Sequence, residues 1–322
     1  MSELLSEFFS GTTKPPGSRE DFIAKDTGHR GPVIHVSSLT LRGRKFCFCV
    51  TPSSIFVISY TLGPSRVFLK RYPEAGDAFT AVSRTMIGSC VIVGCQSGNI
   101  VQFDLAVNSF KFIFKSATSP IASIATSSDH LACGYSDGLI YLWKTITDTS
   151  PTIMMIADEK TACSAIAFAD TDIWVGRSDG CISIIDNATC PTISPSPLTY
   201  PGMTAVTNLQ RLSSLMAVVC VSSELSLWDL VTRTPLQRYQ AELVTCGAMI
   251  TSLTAVGESQ LLIGGSDGSV CLREIRKTER LQCVLTSFWD PPDELHACPV
   301  TAACADGGGF ITGDSGCRVR FI

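Results

Sequence analysis

Ile121 to Trp143, IASIATSSDHLACGYSDGLIYLW, reads as three short strands and two turns. Ile121–Ala125 is a short apolar run, and Ser127-Ser128-Asp129 is a polar turn cluster. His130–Gly134 is a run of small residues that ends at Ser136-Asp137-Gly138. In that second turn Gly takes positive φ and Asp accepts from nearby backbone amides. Leu139–Trp143 returns as a strand of large apolar side chains. Strands joined by turns this short pair antiparallel, so the unit is a β-meander.

The unit recurs along the chain. Its tight turn appears as Ser97-Gly98, Ser136-Asp137-Gly138, Ser178-Asp179-Gly180, Ser222-Ser223, Ser266-Asp267-Gly268 and Asp314-Ser315-Gly316, with a degenerate first copy at Ser54. Aligned on Ser54, Gly98, Gly138, Gly180, Ser223, Gly268 and Gly316, the spacings are 44, 40, 42, 43, 45 and 48 residues. A period of about 40–45 residues is that of a propeller blade. Five residues past each turn residue stands a repeated slot: Ser59, Phe103, Trp143, Ile185, Trp228, Arg273 and Phe321. A fourth apolar run separates the copies, as in SFKFIFK and TIMMIA. Four meandering strands per copy make a blade, and seven copies make a seven-bladed, all-β propeller.

On these residues the chain resembles the WD-repeat β-propeller family over roughly residues 20–322. Trp228-Asp229 closes a third strand, and SDG stands at the preceding turn three times. The Gly-His dipeptide that often opens a family repeat does not recur along the chain, standing only once at Gly28-His29, and only Trp143 and Trp228 fill the Trp slot. The resemblance therefore implies a divergent member, without the family's full buried hydrogen-bond network and held mainly by apolar packing.

The two ends complete each other. The last copy, Val300–Ile322, has three strands and stops, while Asp21–Lys25 is a strand with no hairpin partner. In a ring that strand pairs with Val319–Ile322, supplies the missing outer strand and covers an open edge. The sequence accounts for 27 strands without it and 28 with it. Residues 1–18 form an arm, and 19–322 the propeller. Leu4, Leu5, Phe8 and Phe9 give the arm an apolar character before Pro15-Pro16 breaks any helix. It reads either as a tail or as a small docking segment.

Composition narrows the function classes. Hydrophobic residues make up 45 % of the 322 and charged residues 17 %, which suits strands buried on both faces. A net charge of −4 suggests no basic face for nucleic acid. The 15 Cys are odd in number, scattered through strand-like runs and free of CxxC. They read as reduced thiols packed like small hydrophobes in a cytoplasmic or nuclear chain that is not secreted. The N-terminus lacks a basic n-region, and no apolar run has the length of a membrane span.

Catalytic patterns are missing. There is no GxxxxGK[ST], no HExxH, and His29, His35, His130 and His296 are dispersed. Cys47 and Cys49 share a strand face without further ligand types nearby, so core packing is expected rather than a metal pair. Asp137, Asp179 and Asp267 repeat in phase, as turn carboxylates do and an acid/base pair does not. No cofactor, metal site or enzymatic activity is expected.

The remaining variation lies in the loops. The resemblance implies that the turns between second and third strands line a partner-binding rim, which places Gln96, Tyr135, Arg177, Val221 and Gly265 there. Gln96, Tyr135 and Arg177 are the candidates on consecutive blades. The longer connection Ser287–Cys298, SFWDPPDELHAC, adds Phe288 and Trp289, either presented by a proline-stiffened loop or folded back on the rim. Asp137, Asp179, Asp267, Trp143, Trp228 and Asp229 are assigned to the repeat's structure. The expected function is a non-catalytic scaffold or adaptor for proteins or peptides in a multiprotein complex. A phosphoinositide- or membrane-binding propeller is the alternative, resting on Leu41-Arg42-Gly43-Arg44, a poor match to that class's paired-Arg motif.

Overall fold

The computed structural model describes residues 22–23, 31–41, 43–60, 66–71, 77–83, 90–104, 107, 109–115, 119–128, 130–144, 150–155, 161–186, 188, 190–199, 201–221, 223–239, 248–278, 280–289, 298–307 and 309–322. Among them there are strands and turns but no helix, and so no helix long and apolar enough to cross a membrane. The arm at 1–18 lies outside the described residues.

Seven four-stranded antiparallel sheets form the ring. The edge strand β1 is Phe22–Ile23, and blade 1 is β2 (His35–Leu41), β3 (Arg44–Thr51), β4 (Ser54–Ser59) and β5 (Arg66–Arg71). Blade 2 is β6 (Phe79–Val82), β7 (Cys90–Cys95), β8 (Ile100–Asp104) and β9 (Ser109–Phe114). Blade 3 is β10 (Ile121–Thr126), β11 (Leu131–Tyr135), β12 (Leu139–Trp143) and β13 (Thr152–Met155). Blade 4 is β14 (Cys163–Ala169), β15 (Asp172–Arg177), β16 (Ile182–Asp186) and β17 (Thr192–Ile193). Blade 5 is β18 (Val206–Leu212), β19 (Leu215–Cys220), β20 (Leu225–Asp229) and β21 (Pro235–Tyr239). Blade 6 is β22 (Ile250–Val256), β23 (Gln260–Gly265), β24 (Val270–Lys277) and β25 (Leu281–Trp289). Blade 7 is β26 (Val300–Asp306), β27 (Gly309–Asp314) and β28 (Arg318–Phe321), completed by β1. The closing strand pairs as the sequence predicts, though over fewer residues: Phe22 faces Val319 and Ile23 faces Arg318.

The core is a series of apolar layers between neighbouring blades. Phe46, Phe48 and Val57 of blade 1 pack on Val91, Val93 and Phe103 of blade 2. Trp174 of blade 4 meets Trp228 of blade 5 edge to face at 6.4 Å. Burying the side chains of second and third strands on both faces explains the low charged fraction.

A repeated notch joins the blades. Near the end of the second strand stand Gly94, Gly134, Gly176, Gly264 and Gly313, and the first residue of the next blade's inner segment fills the space a side chain would take. A Cβ on Gly94 would sit 2.6 Å from Ile121 Cγ2, and one on Gly313 would sit 2.7 Å from Val33 Cβ. Hydroxyls reinforce the join. Thr80 Oγ1 donates to Ile121 O at 2.6 Å and Thr251 Oγ1 to Val300 O at 2.7 Å. In blades 1 and 5 the registers put Val50 and Val219 in the notch position.

Three alignments in the first and last copies need correction by one residue. In blade 3, Trp143 faces Leu131; the matching pair in blade 1 is Cys47 with Ile58, so Ile58 and not Ser59 fills the slot. Between the notch position Val50 and its partner Ile55 stand four residues, where five stand between the matching pair of every other blade. In blade 7 the left-handed turn residue is Cys317, at φ 65°, where Gly98, Gly138, Gly180 and Gly268 lie at 85–87°. Gly316 is therefore not the turn residue, and Ile322 rather than Phe321 takes the slot, exchanging bonds with Phe310 at 2.9 and 2.8 Å.

Candidate interaction surface

The turns between second and third strands all lie on one face of the ring, with the chain's approach to each inner strand beside them. The repeated carboxylates are spent inside these turns. Asp137, Asp179 and Asp267 each accept, through Oδ1, the amide two residues on, from Leu139, Cys181 and Ser269 at 3.2, 3.0 and 3.0 Å. Asp314 does the same in blade 7, taking the amides of Gly316 and Arg318 at 2.9 Å. Asp229, at the far end of its strand, accepts from Val231 and Thr232, and the Thr232 amide leads in holding its carboxyl below the usual range.

The sequence's rim candidates fare differently. Counted from the left-handed residue, Gln96 matches Ser136 and Ser178, not Tyr135 and Arg177; it is exposed on the face. Tyr135 is fully buried, which corrects its placement on the rim. As the last residue of β11 it points into the seam with blade 2, where its hydroxyl donates to Gly98 O at 3.2 Å and its ring lies 4.6 Å from Tyr141. Arg177 is also largely withdrawn: its side chain is 12 % exposed, paired with Asp179 and donating to Ser183 Oγ at 3.2 Å. Trp289 ends β25 and folds back, edge-on to Phe310 at 5.6 Å and packed with Val270 and Val300. Its neighbour Phe288 points outward and is 37 % exposed. Residues 290–297 of that connection lie outside the described residues.

Two exposed apolar side chains complete the face. Val221 stands in the blade 5 turn and Met249 directly before the inner strand of blade 6; they are 55 % and 54 % exposed. The amide of Ile250 donates to Ser223 Oγ at 2.9 Å, which brings the two stretches together across the seam. Sequence reading placed Val221 on the rim but left Met249 unnoticed. The signal available was position, one residue ahead of a predicted inner strand.

The structural slots are core. Trp143 and Trp228 are buried, and Trp228 Nε1 donates to Ser226 Oγ at 2.9 Å. Trp143 Nε1 makes no hydrogen bond among the described residues. His130 closes a turn, its amide donating to Ser127 Oγ at 3.0 Å. The 14 described cysteines are free thiols, nine of them buried. Cys47 and Cys49 Sγ lie 3.4 Å apart in the interior. Burial pushes the Cys163 thiol up to about 12 and that of Cys133 well above its ordinary value. Among the described residues no group of three or more His, Cys, Asp or Glu is placed to hold a metal ion.

These features define the class as a seven-bladed β-propeller of four-stranded antiparallel blades. Solved structures share the ring. U3-55K superposes at a TM-score of 0.75 and 12 % identity, over 96 % of this chain and 99 % of that one. A chain from the mitotic checkpoint complex gives 0.68 and 15 %, over 86 % and 85 %. The computationally designed Ika8 protein gives 0.60 and 16 %, over 91 % and 97 %. At these identities the likeness is one of fold. No family model matches the sequence, and no curated protein does.

Proposed function

We propose that the chain is a non-catalytic scaffold that binds protein or peptide partners on the face of its second-to-third-strand turns. The observation that carries this is the exposure of Val221 and Met249, on two stretches that the Ile250–Ser223 hydrogen bond joins, on a frame whose repeated carboxylates are already committed to turns. Apolar side chains held on a rigid face, beside variable loop residues such as Gln96, suit partner docking. One similar structure belongs to a checkpoint complex, a setting in keeping with this reading.

The test is affinity purification of the tagged chain with quantitative mass spectrometry, beside Val221→Asp/Met249→Asp. The scaffold reading expects a defined set of proteins to drop out while the melting temperature holds. An unchanged set sinks this assignment of the face.

A further inference from the structure

Each blade ends in an outer strand whose far side has no strand beside it. Such edges are ordinarily kept short, or broken by charge or proline, to prevent pairing with another chain. Six of the seven follow that rule. β5 contains Arg66, Lys70 and Arg71, β9 contains Lys111, and β21 contains Pro235 and Arg238. β13, β17 and β1 have four, two and two residues. β25 departs from it: nine residues, LQCVLTSFW, with no charge and no proline.

The register of blade 6 shows which groups of β25 turn outward. The Ile275 amide donates to Ser259 O at 2.7 Å, so the backbone of Ile275 points toward β23, and by alternation so do those of Arg273 and Cys271. Their partners in β25, Cys283, Leu285 and Phe288, therefore turn to the free edge. Side chains cover its lower end: Tyr239 Oη donates to Leu281 O at 3.0 Å and Arg273 Nη1 to Cys283 O at 3.3 Å. Among the described residues no hydrogen bond reaches the outward backbone groups of Leu285 or Phe288. Their side chains share one face and are 46 % and 37 % exposed.

Thr286 is the extra residue of a bulge, since the register passes from Arg273–Leu285 to Leu272–Ser287. The two outward positions thus lie three residues apart, where a regular strand presents such groups at every second residue. A regular strand laid on this edge meets one of them in register and misses the other. The strand that repeats the spacing is β25 itself.

We propose that the edge is occupied by β25 of a second copy of this chain, the two strands antiparallel about a two-fold axis between Thr286 and Ser287. Leu285 then faces Phe288 of the partner subunit, and Phe288 faces the partner subunit's Leu285. Each pair exchanges N–H···O bonds both ways and sets leucine against phenylalanine on the face of the sheet. Two four-stranded blades become one continuous sheet, an isologous contact that closes at two copies. This contact is separate from the face of the turns, so Val221→Asp/Met249→Asp leaves it intact.

The test is sedimentation of the purified full chain from micromolar to submillimolar concentration, paired with crosslinking from a benzophenone amino acid at Leu285 in a mixture of isotope-labelled and unlabelled chains. A dimer is expected, with crosslinks between copies that map to residues 286–289. Leu285→Pro removes only an outward N–H, which an edge strand tolerates; symmetry deletes two hydrogen bonds, so the dimer should weaken about thirtyfold at unchanged melting temperature. Leu285→Lys, which keeps the amide, should weaken it too, and Leu285→Lys/Phe288→Glu should restore it by setting unlike charges opposite each other in both pairs. A monomer at every concentration, a dimer indifferent to these substitutions, crosslinks confined to single chains, or crosslinks in cell extract to a different protein alone would overturn the proposal.

Discussion

Thr301 and Val33 join the last blade to the first: the Thr301 hydroxyl donates to Val33 O at 2.6 Å. The same Val33 side chain occupies the space above Gly313. Ring closure thus uses the same join as the seams inside the ring, in addition to the edge strand β1.

Gly313→Ala should destabilise the fold by about 1–3 kcal/mol, because the added methyl has no room beside Val33. Val33→Ala alone should also destabilise, by removing buried methyls. Together the two should cost less than their sum, since each makes room for the other. Denaturant midpoints of the four chains check this; strict additivity would mean that Val33 does not fill the notch.

Tyr135→Ala should cost about 3–5 kcal/mol, as for a large buried aromatic, and Tyr135→Phe about 1 kcal/mol for the bond to Gly98. Thermal melts separate this from a surface role, in which both substitutions leave the melting temperature where it is.

Stability should fall as pH rises above about 9. Burial pushes the thiols of Cys133, Cys163 and Cys304 and the Tyr239 hydroxyl up in the folded chain, Cys163 and Tyr239 each to about 12. Once pH passes the unfolded thiol value the unfolded chain releases protons that the folded chain retains, and the loss continues up to the folded values. Each group contributes at most about 1.4 kcal/mol per pH unit across its window. Denaturation midpoints from pH 7.5 to 10.5 check the sign; a flat or rising profile contradicts it.

Among the thiols, Cys190 is exposed while Cys133 and Cys163 are fully covered. Brief alkylation of the native chain should modify Cys190 and leave Cys133 and Cys163 untouched until denaturant is added. Peptide mapping reads this directly, and early labelling of Cys133 would contradict the seam packing.

The architecture was legible because blade grammar repeats. Seven turns in phase gave the blade count, and the unpaired ends gave the closing strand. The slips at Ser59, Gly316 and Phe321 arose where one turn is a residue short and another uses Cys317 in place of glycine. The notch glycines were present in phase, four residues before the turn glycine in GCQSG, GYSDG, GRSDG and GGSDG, but their purpose appears only when the next blade's side chain is in place. Rim chemistry was the least readable. A strand's last residue and a turn's first differ by one position and by the direction they face, which is why Tyr135 is core and Gln96 is surface.

The most direct measurement of the scaffold reading is the native size of the chain in extracts of its own cells. Size-exclusion chromatography followed by quantitative detection should place the 34.5 kDa chain in a larger assembly. Val221→Asp/Met249→Asp should move it toward the size of the free chain, with the melting temperature unchanged. Elution of the unaltered chain at its own mass, or the same large assembly for the altered chain, would contradict the proposed binding face.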